Sequence, residues 1–235
     1  MRLFKLTWLL VCGLLTSICQ GQTALHEGAT APHEADWATS EEVGNVLTFL
    51  RNGGYVLVLR HGATDRTQKD LPKPDLEDCD TQRNLTDIGR LNASGWGRVL
   101  RDAEVPVAMV VSGQYCRTRE TAERLGFKTV AVDGRLNAPA DREEVQQRGK
   151  ELQGLVNQVP PRGANVILVT HSANLVAAFE TDVAGIDEGD AIVMRPSAGA
   201  ATIVAKLHIA DVAKWRQRQA IGRLPRTNQQ GAFAP

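Results

Sequence analysis

Three apolar runs in this chain, residues 55–59, 108–111 and 166–169, end in residues that an ordinary strand end does not need. The first is followed by Arg60, His61 and Gly62, the second by Ser112 with Arg117 behind it, the third by Thr170 and His171. Arg83 joins them from the loop that begins at Cys79. If the runs are parallel strands of one sheet, all of these residues reach its carboxyl edge, where open α/β sheets bind ligands. Three arginines and two histidines on one rim would repel one another without an anion among them. The planar guanidinium fork matches phosphate oxygens two at a time, which an ammonium cannot do. The expected guest is therefore a phosphoryl group. A histidine there, with an ordinary pKa of about 6.5, keeps enough neutral imidazole to attack phosphorus near neutral pH. Such an attack splits one hard displacement into two easier ones. The other histidine and the arginines would stabilise charge on the equatorial oxygens. Gly62 has no Cβ and is expected to let a ligand approach the backbone closely.

The elements that must carry these residues alternate between strand and helix. Thr39 and Glu42 form a capping box before an apolar stripe of Val43, Val46, Leu47 and Leu50, and Gly53 stops that helix. Residues 65–82 hold Pro72, Pro74 and many charges and read as a long loop. Thr86 caps a helix whose Ile88, Leu91, Trp96, Val99 and Leu100 fall near one face, although Gly89, Gly95 and Gly97 weaken it. A short helix from Glu120 closes at Gly126, and residues 129–132 form an edge strand. Asp141 and Glu144 cap a helix that Pro160 and Pro161 halt. After residues 175–183, helical, come strands at 191–194 and 201–207 and a last helix at about 210–219. The expectation is a three-layer αβα sandwich around a mostly parallel sheet, with an antiparallel strand at its edge.

Lysine plus arginine and aspartate plus glutamate number 27 each, so no global field points to nucleic acid. Arg2 and Lys5 precede an apolar run that ends at Cys19, with small residues at Cys19 and Gly21 for cleavage. That run is short for a span of about 20 residues, so residues 1–21 read as a signal peptide and the protein as periplasmic or secreted. Lipidation at Cys19 is poorly served by the preceding Ile18. No stable membrane insertion is expected once the signal is cleaved. Residues 22–38 read as a flexible leader, 39–220 as the folded domain and 221–235 as a disordered tail. His26 and His33 in the leader are read as solvated. Cys12 and Cys19 depart with the signal, leaving Cys79 and Cys116 as a disulfide pair expected in an oxidising compartment, against two buried thiols. There is no Walker-type loop and no cluster spaced for a metal, so neither metal nor cofactor is expected.

The motifs Leu59-Arg-His-Gly-Ala-Thr64, Arg83-Asn-Leu-Thr86, Ser112 with Arg117-Thr-Arg-Glu-Thr-Ala122, and Val169-Thr-His171 resemble, in order and spacing, the histidine phosphatase superfamily, whose fold is that of phosphoglycerate mutase. The resemblance covers roughly residues 45–210. It implies His61 as the phosphorylated nucleophile, with Arg60, Arg83, Arg117 and His171 completing the phosphate pocket. Cys79-x-x-x-Arg83-Asn-Leu-Thr, with Cys116-Arg-Thr later, is similar to small exported bacterial members, which include a phosphatase of an envelope sugar phosphate. The usual positions of the general acid are empty: Ser172 follows the second histidine, and Leu136-Asn-Ala-Pro139 holds no carboxylate. Asp65, Asp141, Glu143, Glu188 and Asp190 remain, of which Glu188 is the possible general acid. Without a strong acid, good leaving groups such as sugar 1-phosphates or phosphohistidine-like compounds would suit best. The expected function is an exported, metal-independent phosphatase of a phosphorylated small molecule. The alternatives are a non-catalytic phosphate-binding protein and a phosphomutase, which export disfavours.

Overall fold

Along the strand Val56–Arg60, Leu57 and Leu59 enter one apolar layer while Val56 and Val58 enter the other. A strand covered on both faces has no polar side, which is why its sequence is an unbroken apolar run. The computed structural model describes residues 36–222; the expected signal at 1–21, most of the leader and the tail beyond 222 lie outside the described residues.

In chain order the elements are β1 (Trp37–Ala38), α1 (Val43–Leu50), β2 (Val56–Arg60), α2 (Asp87–Asp102), β3 (Val107–Ser112), α3 (Cys116–Arg124) and β4 (Val130–Val132), followed by α4 (Arg142–Val156), β5 (Asn165–Thr170), α5 (Ser172–Phe179), β6 (Ala191–Arg195), β7 (Thr202–Leu207) and α6 (Ile209–Gly222). The sheet runs β1-β7-β6-β2-β5-β3-β4, and β6 alone runs against its neighbours. One face packs side chains of α1, α2, α3 and α6, among them Leu47, Trp96, Ala122 and Val212. The other packs Leu152 and Val156 of α4 and Leu175 of α5. The three layers and the mostly parallel sheet are those expected.

Four details differ from expectation. The antiparallel strand is internal: β6 lies between β2 and β7, and the edge on that side is β1. Trp37 and Ala38, assigned to the leader, pair with Lys206 and Leu207 of β7, and Trp37 stacks on His208 with ring centroids 3.8 Å apart. On α2, Ile88 and Leu91 are 61% and 60% exposed, because the helix turns Gly89 and Gly97 inward. A Cβ on Gly97 would lie 1.8 Å from the Leu125 carbonyl oxygen, and one on Gly89 2.1 Å from that of Ala63. Two of the glycines that weaken the helix by propensity, Gly89 and Gly97, are thus the contact that docks it. Gly62 serves the same contact: its open side faces the Gly89 backbone, not a ligand. The caps hold as read, with Thr86 Oγ1 accepting from Gly89 N–H and Asp141 from Glu143 and Glu144 N–H. At α1 the Glu42 carboxylate reaches back to the Thr39 N–H and hydroxyl, and the helix proper begins at Val43.

Candidate active site

His61 leaves β2 without breaking the ladder, its N–H donating to the Thr170 carbonyl at 3.0 Å. His171 follows β5 in the same way, one residue past its end. Since β2 and β5 pair in parallel, the two imidazoles meet, with centroids 5.2 Å apart and planes at 63°. Both are buried, at 2% and 4% exposure. His61 Nδ1 lies 2.9 Å from the Gly62 carbonyl oxygen. A carbonyl only accepts, so Nδ1 carries the proton and Nε2 keeps its lone pair.

Burial, with the Arg117 and Arg60 charges, pushes the His61 imidazole down to about 3, against the opposing pull of the Gly62 bond. His171 is driven well below its usual range by burial, then by His61 and the three arginines. Both are therefore neutral at neutral pH. The unfolded chain takes up these protons near pH 6.5 and the folded one does so only far lower. The His61 contribution to stability is thus complete above about pH 6.5 and lost as pH falls toward 3, by about 1.4 kcal/mol per pH unit, and His171 acts in the same direction. Denaturant unfolding at pH 7 and pH 5 measures this above the carboxylate range; equal stabilities at the two values would rule it out.

The arginines converge as expected. Arg60 Nη1 donates to the Ile186 carbonyl at 2.9 Å, and its Nη2 lies 3.8 Å from Glu188. Arg83 Nη2 lies 3.7 Å from the same carboxylate oxygen. Arg117, in the first turn of α3, is 4% exposed; its guanidinium sits 4.4 Å over the Tyr115 ring, which in turn packs edge-on to His171 at 5.1 Å. The Nε atoms of all three arginines, His171 Nε2 and Ser112 Oγ are buried without a hydrogen-bond partner among the described residues. Buried donors are normally satisfied, and a tetrahedral oxyanion offers acceptors of the kind these donors lack.

Of the carboxylates proposed from sequence, only Glu188 reaches this site. It accepts from the Thr64 hydroxyl at 2.6 Å and the Thr64 N–H at 3.1 Å. Burial raises the Glu188 carboxyl, but the Thr64 hydrogen bonds and the nearby positive charge prevail and hold it below its usual range. It is an ionised group, a poor acid in the resting protein. Asp65 closes a turn onto Thr67, Asp141 caps α4 and Glu143 is exposed in that helix's first turn. Asp190 is 1% exposed and spent on His208, Ile209 and Asp187. Asp70 and Tyr115 were not singled out by sequence. Asp70 is one of several acids in the 65–82 loop, and no spacing distinguishes it from its neighbours.

Cys79 and Cys116 are joined in a disulfide with Cα atoms 5.7 Å apart. It ties the loop that delivers Arg83 to the helix that delivers Arg117, and Gln82 Oε1 adds a bond to the Cys116 N–H at 2.9 Å. The bridge spans 37 residues. In the chain-entropy description, closing a loop of that size stabilises by roughly 4 kcal/mol. The Cys79→Ser/Cys116→Ser double variant should lose most of that in denaturant unfolding; an unchanged midpoint would show the bridge to be energetically idle.

A family model described as "Histidine phosphatase superfamily (branch 1)" matches residues 56–138, a stretch that carries Arg60, His61, Arg83 and Arg117. No curated protein sequence matches the chain. Among solved structures, the protein histidine phosphatase SixA complexed with tungstate is similar at 18% identity and a TM-score of 0.51, over 67% of this chain and 99% of that one. A candidate alpha-ribazole-5'-P phosphatase from Escherichia coli K-12 is similar at 14% identity and a TM-score of 0.51, over 67% of this chain and 98% of its own. Residues 56–138 thus match the histidine phosphatase superfamily, and the fold is similar to that of the two solved phosphatases over 67% of the chain.

Proposed function

We propose that the chain is an exported, metal-independent phosphatase that hydrolyses phosphomonoesters through a phosphohistidine on His61. The observation that carries this reading is the Nδ1 bond of His61 to the Gly62 carbonyl, which leaves a neutral Nε2 beside three arginines. In the first step the Nε2 lone pair forms a bond to phosphorus as the bond to the leaving oxygen breaks. In the second, water attacks the phosphohistidine, the P–N bond breaks and the water's proton must be accepted. Arg60, Arg83 and Arg117 hold the equatorial oxygens through both steps. His171, neutral and buried, is a hydrogen-bond donor to them.

Glu188, held ionised, is suited to take the proton in the second step and poorly suited to give one in the first. That favours substrates with good leaving groups, such as sugar 1-phosphates and phosphohistidine-like compounds. The E. coli neighbour, described as a candidate alpha-ribazole-5'-P phosphatase, supports a phosphorylated small molecule as substrate, and an envelope sugar phosphate fits an exported enzyme. The reading of residues 1–21 as a signal and the Cys79–Cys116 bridge support export, since disulfides persist in oxidising compartments.

The test is turnover of p-nitrophenyl phosphate in excess EDTA, followed by a panel of sugar phosphates and phosphoramidates. Hydrolysis in the chelator is expected. Phosphate binding without turnover would favour a binding protein, and activity lost to EDTA and restored by a divalent ion would overturn the metal-independent mechanism.

A further inference from the structure

The loop between His61 and Arg83 is not a free excursion. Thr64 bridges to Leu85, Asp65 N–H donates to the Asn84 carbonyl, Asn84 N–H to Gln68 Oε1 and Leu71 N–H to the Thr81 carbonyl. This zipper delivers Asp70 to the arginines. One carboxylate oxygen, Oδ1, accepts from Arg117 Nη1 at 2.9 Å and from the Arg83 backbone N–H at 2.8 Å. Arg117 Nη1 also lies 3.5 Å from the Arg83 carbonyl oxygen. Arg117 is thus held at its Nη1 corner, under the Tyr115 ring, while its Nε has no partner among the described residues.

We propose that Asp70 is a positioning residue for the phosphate site, fixing Arg117 and Arg83 in register so that the Nε side of the Arg117 fork faces the phosphoryl group. The proposal rests on the phosphatase reading of the same pocket. A guanidinium offers two-point contact along one edge at a time. Anchoring Nη1 from the loop side commits the remaining edge to the anion and removes the rotamer freedom that Arg117 would otherwise lose on binding. The same oxygen sets the main chain of Arg83, so one acceptor aligns two arginines that are 34 residues apart in the chain. What the device needs is an acceptor at that point. Full negative charge is not required, and beside a phosphate dianion it would be a liability.

The experiment compares Asp70→Ala and Asp70→Asn with the wild-type chain. Binding of inorganic phosphate is measured by calorimetry, and kcat and KM with p-nitrophenyl phosphate. Asp70→Ala is expected to weaken phosphate binding and lower kcat/KM on the order of 10- to 100-fold, the scale of an angstrom-level misplacement of a reacting group. Asp70→Asn should recover at least half of that loss on a logarithmic scale, because an amide oxygen can accept the same two N–H groups. In an Arg117→Ala background, Asp70→Ala should add much less than it does alone. Phosphate binding by Asp70→Ala as tight as wild type, or tighter, overturns the proposal and makes Asp70 a bystander or a competing anion. Asp70→Asn as impaired as Asp70→Ala overturns it as well, and so does full additivity with Arg117→Ala. A wild-type chain that binds no phosphate overturns the phosphatase reading itself, and this proposal with it.

Discussion

His61→Ala is expected to lower turnover on the order of 10⁴-fold or more, the scale seen when a covalent nucleophile is removed. Phosphate binding should remain measurable, since Arg60, Arg83 and Arg117 are untouched. The two histidines are close to symmetric in burial, so the asymmetry between them must come from hydrogen bonding. Only His61 has its Nδ1 on a carbonyl, which forces the tautomer with a free Nε2. Quenching with labelled substrate should therefore give an acid-labile, base-stable phosphoprotein in the wild-type chain and none in His61→Ala. His171→Ala should still give some label, because that ring only stabilises charge. A label that survives in His61→Ala and vanishes in His171→Ala would reverse the two roles.

Arg117→Ala is expected to lower kcat/KM roughly 100- to 1,000-fold, the range for loss of one pre-positioned donor to a developing charge. The loss should fall on KM and kcat together, because a guanidinium fork contacts the phosphoryl oxygens in the ground state and in the transition state. Arg117 is also the partner of Asp70 and Tyr115, so the variant should be checked for an intact disulfide and an unchanged fold. Arg117→Lys should recover little, since an ammonium cannot reproduce the two-point contact. A loss confined to KM, with kcat at the wild-type value, would mean that Arg117 binds substrate without stabilising the transition state.

Much of this molecule is legible from local pattern. A short apolar run bounded by turn residues fits a strand buried on both faces, so β2 and β5 could be read before their partners were known. Their ends then carried Arg60, His61 and His171 to one edge, because parallel pairing leaves no other arrangement. The caps at Thr86 and Asp141 are equally local, as each is a side chain bonded to an N–H two or three residues away. Cysteine parity and the expected export paired Cys79 with Cys116.

What the pattern could not carry were contacts whose partners have no periodic relation in the chain. Hydrophobic spacing put Ile88 and Leu91 on the buried face of α2, but the backbones of Ala63 and Leu125 come so close that only glycine fits there. The helix rotated to satisfy that approach. The strand β6 was placed at an edge, but β7 pairs along its outer side and residues 37 and 38 return from far away to cover β7 in turn. Glu188 was found as a turn residue near a strand start, yet its state follows from Thr64, 124 residues away. Asp70 looked like any other acid in a charged loop until the zipper onto residues 81–84 brought one of its oxygens to both Arg83 and Arg117. The sequence by itself determined which side chains could form a phosphate pocket, because strand ends and residue types are local properties. The tertiary structure alone decided how those side chains are held, protonated and aimed, because hydrogen bonds and burial depend on neighbours that the chain brings back from far away.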